Sequence, residues 1–343
     1  MAAIAREVVA AVSTAAIVAL ALFPLRRLLL RWQMLDRPNA RSSHVAPTPR
    51  GGGLAIVLAT VLSSTIWIAL VAPSSLRTVL NFDALAVIVA VLGWIDDRNS
   101  LPAVPRLFAQ LALAAAAVSL FGPVNRLWIP MVGIVRLGVF GTPLTVLWIV
   151  GLTNAYNFMD GIDGIAGGQT AVAGLAWYVA LLAVSPPVAR AVALMTAAAA
   201  VGFLLHNWPP AKVFMGDVAS GFLGFVFAVL PLLVSDDATR SRAPILALMT
   251  SAPFFIDTTF TLITRLRRGE NVLQAHRDHV YQRLASRGGK HLDVTVAYVG
   301  LTALVGICAV TYTRASDLAA AAAICAGLGA LLIAFVSALV LLR

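Results

Sequence analysis

Two adjacent carboxylates stand at the end of a long apolar run. Asp96 and Asp97 close the sequence LAVIVAVLGWIDD, so they lie where a hydrophobic segment meets water. Neighbouring carboxylates at such a boundary repel each other and lose hydration, which is unfavourable unless a cation or a proton compensates. The pair could instead form a solvated cap where a helix leaves the membrane. Taken alone, it leaves both interpretations open.

A regularly spaced polar run, NAYNFMDGIDGIAGG, follows further along the chain. Its Asn154, Asn157, Asp160 and Asp163 are three residues apart, a spacing that lines them along one side of a helix or tight turn. The intervening glycines permit close backbone approach and expose N–H groups, which suits a phosphate or a nucleotide. A glycine-rich turn would explain the glycines but not the four spaced polar groups. The run therefore favours a binding function.

A third segment, HNWPPAKVFMGD, begins at His206 and ends at Asp217. Asp217 opens the next apolar run, so it could simply be a helix N-cap. Combined with Asp96 and Asp97, it could also form a divalent-cation site, because Mg²⁺ prefers carboxylate oxygens and substrate phosphates.

The stretch from Arg265 to Lys290 is basic and contains His276 and His279. Part of this charge is typical of loops that face an anionic membrane surface. A zinc site would need a third and a fourth ligand nearby. Contacts between these basic groups and phosphate oxygens are the better interpretation.

The elements that must position these residues are predicted to be membrane helices. The chain of 343 residues is 60% hydrophobic and 12% charged, whereas a soluble domain carries roughly 25% charged residues. About 20 apolar residues cross a bilayer, and eleven runs qualify: 8–30, 53–72, 81–95, 106–121, 141–158, 165–184, 188–205, 218–234, 243–264, 292–312 and 318–342. We expect an all-α integral membrane protein with 10–11 transmembrane helices in a single domain, 1–343, whose first run is retained.

The basic residues predict the orientation of these helices. With the N-terminus outside, seventeen Lys and Arg residues fall on the inner side and eight on the outer side, which favours N-out and C-in. The carboxylate and histidine clusters fall on the same inner side, although they did not enter this count. The net charge of +10 therefore lies in short loops, which argues against nucleic-acid binding. On the outer side, 127–130 and 134–139 predict either a short β-hairpin around Gly133 or a re-entrant segment.

Five segments resemble the polyprenyl-phosphate N-acetylhexosamine-1-phosphate transferase family. This family includes O-antigen and teichoic-acid initiating enzymes and, more distantly, the phospho-MurNAc-pentapeptide transferase. In family order the segments are DRPNARSSHVAPTPRGGGLAI, DDRNSL, NAYNFMDGIDGIAGG, HNWPPAKVFMGDVASGFLG and AHRDHVYQRL. The third and fourth are highly specific. The resemblance implies transfer of a sugar-1-phosphate from a UDP-sugar to undecaprenyl phosphate, with Mg²⁺ or Mn²⁺ and release of UMP, on the cytoplasmic side of a bacterial inner membrane.

The resemblance also implies roles for individual residues. Asp217 and Asp97 are expected at the metal, Asp97 also counts among the catalytic residues, and Asp96 is expected to orient or deprotonate the acceptor phosphate. Arg106 stands where the family carries a basic residue, often lysine. Positions similar to the uridine pocket are Asn207, Phe214 and Asp163, and positions similar to the surroundings of the diphosphate and metal are Asn154, Asn157 and Asp160. The last motif supplies His279 for catalysis and His276 for substrate binding.

The last motif departs from the family pattern. The family often has H-x-H-H, whereas His279 is followed by Val280, Tyr281 and Gln282, so roles of the later histidines do not transfer. The sequences NWPPA and AHRDH are more similar to those of the O-antigen-type initiators than to those of the pentapeptide transferase. Phospho-MurNAc-pentapeptide transfer is the alternative function within the family.

A proton- or cation-coupled transporter is the alternative from another class. A transporter should place ionisable groups at several depths of the membrane, and here Asp83 and Asp257 are the candidates. A homodimer is compatible with the sequence.

Overall fold

The computed structural model describes residues 2–36, 47–185, 187–271, 274, 276–288 and 290–342. Within these ranges the helices are α1 (Ala2–Arg31), α2 (Leu54–Val71), α3 (Leu76–Asn99), α4 (Ala103–Phe121), α5 (Gly141–Met159), α6 (Ile165–Ala180), α7 (Val188–Asn207), α8 (Asp217–Leu233), α9 (Asp237–Arg267), α10 (Val280–Ser286), α11 (His291–Arg314) and α12 (Asp317–Leu341). Much of the first family-like segment, residues 37–46, lies outside the described residues.

Each of the eleven predicted apolar runs coincides with one helix, which confirms the expected all-α membrane architecture. In the described part of the chain, nine helices are long and apolar enough to cross a membrane. The two others are α6, with 16 residues, and α8, with 17 residues. The predicted number of crossings therefore depends on two helices that are shorter than the length of about 20 residues that spans a bilayer directly.

Burial separates the helices at the centre from those at the lipid surface. Every residue of α8 after Asp217 is buried, as expected for a helix that is apolar on all sides. By contrast, α1 and α12 expose large aliphatic side chains such as Val9, Leu20 and Leu332. Thus α8 is the central helix, and its first residue is held by its neighbours.

Two short antiparallel hairpins connect helices. β1 (Leu35–Asp36) pairs with β2 (Thr48–Pro49). The predicted hairpin near Gly133 is confirmed as β3 (Arg126–Ile129) and β4 (Gly133–Arg136). This hairpin follows the C-terminal end of α4, whereas Asp96 lies near the N-terminal end of that helix. Its placement outside the cell stays a prediction.

Close backbone contacts bring the polar segments together at one end of the bundle. A Cβ atom at Gly93 would lie 2.2 Å from the carbonyl oxygen of Asp217, so α3 and α8 approach as closely as a glycine permits. The loop before α2 pairs with the loop before α8: Phe214 donates its N–H to the Pro49 carbonyl (2.8 Å), and Gly52 donates to the Phe214 carbonyl (3.0 Å). These contacts join segments that are far apart in sequence.

Candidate active site

Asp97 caps the start of α8 from a neighbouring helix. Its Oδ1 accepts the backbone N–H of Asp217 (2.9 Å), and its Oδ2 accepts that of Val218 (3.0 Å). The first N–H groups of a helix have no intrahelical partner, and a carboxylate near them is stabilised by the helix dipole. Gly216, at φ +80°, makes this approach feasible, because a Cβ atom there would lie 2.6 Å from Asp97 Oδ2. The glycine of the FMGD segment is thus required by the capping geometry.

Arg50 bridges two of the predicted site carboxylates. Its Nε lies 2.7 Å from Asp97 Oδ1, and its Nη2 lies 2.5 Å from Asp217 Oδ1. Burial lowers the pKa of Arg50, but the negative charges of Asp217, Asp97 and Asp36 outweigh it and hold that pKa above its ordinary value. Sequence reasoning missed this role and treated Arg50 only as one inner basic residue. Its place in the first family-like segment was the available signal.

Asp96 and Arg106 form a second pair across the turn between α3 and α4. Arg106 Nη1 donates to Asp96 Oδ2 in a short contact. Asp96 Oδ1 accepts the N–H of Leu101 (2.7 Å). Arg106 Nη1 also lies 4.0 Å from Asp217 Oδ2. Asp96 therefore holds Arg106 beside Asp217, and its role toward an acceptor phosphate stays a prediction.

An open cleft of about 460 Å³ lies beside these pairs. It is bounded by the start of α4, the end of α5, the start of α8 and the segment before α10. Six predicted site residues line it: Arg106, Asn154, Asn157, Asp217, His276 and His279. Lining residues that the sequence did not indicate include Arg50, Gln110 and Gln282, together with the apolar Ala103, Leu107 and Leu262. The cleft combines basic, amide and apolar groups.

The two asparagines at the end of α5 turn their carbonyl oxygens away from the protein's own donors. Asn154 Nδ2 donates to Gln110 Oε1 (2.7 Å) and to the Val150 carbonyl (2.8 Å). Asn157 Nδ2 donates to Ser220 Oγ (3.0 Å). Within the ranges that the structure describes, neither Oδ1 atom has a hydrogen-bond donor. Both side chains line the cleft, so each offers it an acceptor oxygen.

The predicted uridine-pocket residues join loops beside the cleft and are outside its described lining. Asn207 accepts the N–H of Gly164 (3.0 Å) and donates to the Val213 carbonyl (2.8 Å). Asp163 Oδ2 accepts the N–H of Ala211 (3.0 Å) and lies 3.4 Å from His291 Nδ1. These bonds fix the turn after α5 against the loop before α8. Their proposed contact with uridine stays a prediction, as does that of Phe214.

Asp160 ends α5 in strongly charged surroundings. Burial raises its pKa well above the ordinary value of a carboxyl group. Arg50 opposes this rise of the pKa, whereas Asp217, Asp97 and Asp163 add to it. The end of α5 therefore carries a carboxyl group that favours a proton or a nearby cation.

In the basic segment before α10, one residue stabilises the backbone of the segment and two others line the cleft. The buried Arg265 donates from Nη2 to the Asn271 carbonyl (3.0 Å) and from Nη1 to the Gln274 carbonyl (3.3 Å), which shapes the segment. The adjacent Arg267 and Arg268 are exposed. His276 and His279 line the cleft with ring centroids 4.9 Å apart. Of this segment, the histidines are thus better placed for a ligand than the arginines.

The oxygen donors of the cleft suit Mg²⁺ better than a transition metal. Within the described residues, no group of three or more His, Cys, Asp or Glu side chains is arranged to hold a metal. Asp217 and the two asparagines nevertheless line one cleft, and a few such oxygen donors are what Mg²⁺ uses together with substrate phosphates and water. Both oxygens of Asp97 already accept backbone N–H bonds, so Asp217 is the better candidate ligand.

Comparison with known proteins identifies the family of this chain. Residues 79–235 match the family model described as glycosyl transferase family 4. The probable undecaprenyl-phosphate N-acetylglucosaminyl 1-phosphate transferase of Bacillus subtilis is 34% identical over 280 residues, covering 80% of this chain and 76% of that protein. The decaprenyl-phosphate N-acetylglucosaminephosphotransferase of Mycobacterium tuberculosis is 31% identical over 372 aligned residues, covering 98% of this chain and 89% of that protein.

A second group of relatives consists of phospho-N-acetylmuramoyl-pentapeptide-transferases, and the one from Synechococcus elongatus is 30% identical over 312 residues, covering 85% of this chain and 83% of that protein. The phospho-N-acetylmuramoyl-pentapeptide-transferase of Lacticaseibacillus paracasei is 32% identical over 198 residues, covering 54% of this chain and 61% of that protein. The resemblance expected from the five segments is therefore confirmed at the level of the family. The chain belongs to glycosyl transferase family 4 and is a membrane-embedded transferase.

Proposed function

We propose that this enzyme transfers an N-acetylhexosamine-1-phosphate from a UDP-sugar to a polyprenyl phosphate and releases UMP. The observation that carries the proposal is the composition of the cleft. Arg50 and Arg106 can neutralise phosphate oxygens, His276 and His279 can hydrogen-bond to them, and Asp217, which lines the same cleft, would bind the metal ion. The names of the N-acetylglucosamine-1-phosphate transferases among the relatives support the choice of sugar.

The apolar part of the cleft supports a lipid acceptor. Ala103, Leu107 and Leu262 line it on α4 and α9, and both helices are long enough to cross the membrane. A polyprenyl chain can therefore stay in the bilayer while its phosphate reaches Arg106. The donor diphosphate and the acceptor phosphate then both lie between Arg106 and the histidines, with the carbonyl oxygens of Asn154 and Asn157 on the α5 side.

The chemistry needed is phosphoryl transfer, in which positioning and charge stabilisation are the main tasks of the protein. An oxygen of the lipid phosphate attacks the β-phosphorus of the UDP-sugar, and the bond between β-phosphorus and the bridging oxygen breaks, so that UMP leaves. Asp217 and the two asparagine oxygens would hold Mg²⁺, or Mn²⁺ in its place. The ion would neutralise charge on the diphosphate. Arg50 and Arg106 orient Asp217 and bind the phosphates.

The cellular setting follows from the same proposal. The excess of basic residues at the cleft end of the bundle supports a cytoplasmic active site in a bacterial inner membrane, with the N-terminus outside. The acceptor is then undecaprenyl phosphate, and the product initiates a lipid-linked surface glycan such as an O-antigen. The homodimer that the sequence allows is not part of this proposal.

A transfer assay tests the proposal. The purified full-length chain is incubated with undecaprenyl phosphate, Mg²⁺ or Mn²⁺ and a panel of UDP-GlcNAc, UDP-GalNAc and UDP-MurNAc-pentapeptide, with and without EDTA. We expect metal-dependent UMP release together with a sugar on the lipid, from an N-acetylhexosamine donor. UMP without a lipid product would indicate hydrolysis. If a folded sample releases no UMP and binds no uridine nucleotide, the proposal is wrong.

A further inference from the structure

Asp257, on α9, is a buried carboxylate to which the proposed reaction assigns no role. Its exposed fraction is 0%. Oδ1 accepts the N–H of Val280 (2.9 Å), while Oδ2 accepts the N–H of Tyr281 (3.0 Å) and the hydroxyl of Tyr298 (2.6 Å). A buried charge needs such donors, because without them its desolvation is strongly unfavourable. These bonds fix α10 against α9 and α11.

His279 is placed by the same carboxylate. Its Nδ1 lies 3.3 Å from Asp257 Oδ1. The ring stacks with those of Phe158 and Tyr281, with centroid distances of 5.9 Å to each and interplanar angles of 29° and 28°. His279 is 3% exposed and lines the cleft. Its Nε2 has no hydrogen-bond partner among the residues that the structure describes, so one ring nitrogen is held and the other is free for a ligand.

The contacts of Tyr281 bring this ring to the end of α5. The Tyr281 hydroxyl donates to the Phe158 carbonyl (2.9 Å). A Cβ atom at Gly161 would lie 2.1 Å from that hydroxyl, so the turn after α5 and α10 are in direct contact. His279 is therefore fixed next to the helix end that carries Asn157, on the side of the cleft assigned above to the donor and acceptor phosphates.

We propose that Asp257 is a positioning residue for His279, which holds the proton on Nδ1 and presents Nε2 to the acceptor phosphate. This inference rests on the proposed function and adds His279 as the group that accepts and returns a proton during the transfer. The hydrogen bond at one ring nitrogen decides which nitrogen carries the proton. A buried carboxylate at Nδ1 also stabilises the imidazolium that forms when Nε2 is protonated, as the aspartate does in serine-protease triads.

In the proposed reaction, one proton moves from the lipid phosphate through His279 to UMP. A lipid phosphate that arrives with one proton gives it to Nε2, and the phosphate oxygen keeps the electron pair that attacks the β-phosphorus. The imidazolium then donates its Nε2–H to a phosphate oxygen, and after the bond to UMP breaks the proton passes to the UMP phosphate. Since the second pKa of a phosphate monoester is about 6, part of the acceptor still carries this proton near neutral pH.

Nitrogen NMR of ¹⁵N-histidine-labelled full-length protein at pH 8 tests the placement of the proton. The chain has five histidines, and the difference spectrum with His279→Gln assigns the one of interest. We expect the neutral ring of His279 to carry its proton on Nδ1, and the population with the proton on Nε2 to rise in Asp257→Asn. Asp293→Asn, which removes an exposed carboxylate on α11, is the matched control and should leave the His279 signals unchanged.

Two results of this measurement overturn the inference. One is a wild-type His279 with its proton on Nε2, and the other is a folded Asp257→Asn variant with wild-type His279 signals. Should Asp257→Asn not fold, the wild-type spectrum still decides the first point. These readouts need no turnover, so they stand even if the transfer assay fails with every donor.

A double-mutant cycle on turnover tests whether Asp257 acts through His279. Loss of a positioned proton acceptor costs on the order of 100-fold or more in rate, so we expect His279→Gln and Asp257→Asn each to lower kcat by about that factor with little change in the KM of the UDP-sugar. The double variant should then be no slower than His279→Gln. If the two losses in kcat multiply in the double variant, or if only the KM of the UDP-sugar changes, Asp257 acts by another route.

Discussion

Two buried clusters of arginine and carboxylate groups lie at opposite ends of the helical bundle and differ in how completely they are paired. In the first, Glu7 of α1 accepts from Arg190 (2.8 Å) and from the Tyr178 hydroxyl (2.9 Å). Arg190 also donates to the carbonyl of Leu182 (2.6 Å). One cation here meets one anion, so the charges balance, although Arg190 Nε is buried without a hydrogen-bond partner in the described part of the chain.

The second cluster holds more negative charge than its arginines balance. Arg50 and Arg106 face the three carboxylates of Asp96, Asp97 and Asp217. Asp217 keeps 21% of its side chain exposed, in the wall of the cleft. Arginine–carboxylate ion pairs thus join helices with balanced charge at one end of the bundle. At the other end they leave a site with excess negative charge. The excess carboxylate, rather than the presence of ion pairs, distinguishes the candidate active site.

Removing the exposed carboxylate of the second cluster should have the largest effect. In Asp217→Asn the oxygen that faces Arg50 stays but the charge is lost, so metal and diphosphate lose their main anchor. We expect transfer to fall on the order of 1000-fold, as for removal of a strong electrostatic contact to the transition state. UMP release measures this. Asp293→Asn is the matched control, and near-normal turnover of Asp217→Asn would remove Asp217 from the metal site.

Changing the shared arginine should cost less. Lysine keeps the charge of Arg50 but has no planar fork that contacts Asp97 and Asp217 together. We expect Arg50→Lys to lose roughly 10- to 100-fold in kcat, within the range for a misaligned reacting group, and Arg50→Gln to lose more. The apparent Kd for Mg²⁺ in the presence of UDP-sugar should differ between the two variants. Equal values for wild type, lysine and glutamine would contradict a role in orienting Asp217.

Breaking the first cluster should affect stability and leave chemistry nearly intact. Arg190→Gln leaves Glu7 buried without its cation, and such a change is strongly destabilising. We expect the apparent melting temperature to fall by about 5 °C or more, with kcat within about twofold of wild type because the cluster is remote from the cleft. Glu7→Gln combined with Arg190→Gln should recover part of the loss. A large fall in kcat of a folded variant would show that the two ends are coupled.

The contrast between the clusters also shows what the sequence could predict. Apolar length predicted eleven of the twelve described helices, because a bilayer imposes a similar length scale on every span. Short motifs indicated Asp217, Asn154 and Asn157, since their spacing is local. Arg50 could not be distinguished from other loop arginines, because its partners lie on α3 and α8 and only tertiary packing brings them together.

Asp257 was missed for a related reason. In the sequence it is an acid inside an apolar run, which is equally typical of a transport pathway. Only the fold shows that it accepts bonds from the start of α10 and from α11. Asn207 and Asp163 illustrate the opposite case, in which residues of specific motifs join loops and the contact with substrate remains to be tested.

The smallest effect is expected for Asp160, which follows α5 and is influenced by the charges of the second cluster. Because its pKa is raised in the folded protein, the carboxyl group favours the native state when protonated, and this contribution is lost as pH rises through the folded-state pKa. Asp160→Asn removes the titration. In EDTA, we expect the variant and the wild type to melt alike at low pH and the variant to melt a few degrees higher at pH 8. Parallel melting curves across this range would mean that Arg50 alone balances Asp160, and that the excess negative charge ends at Asp217.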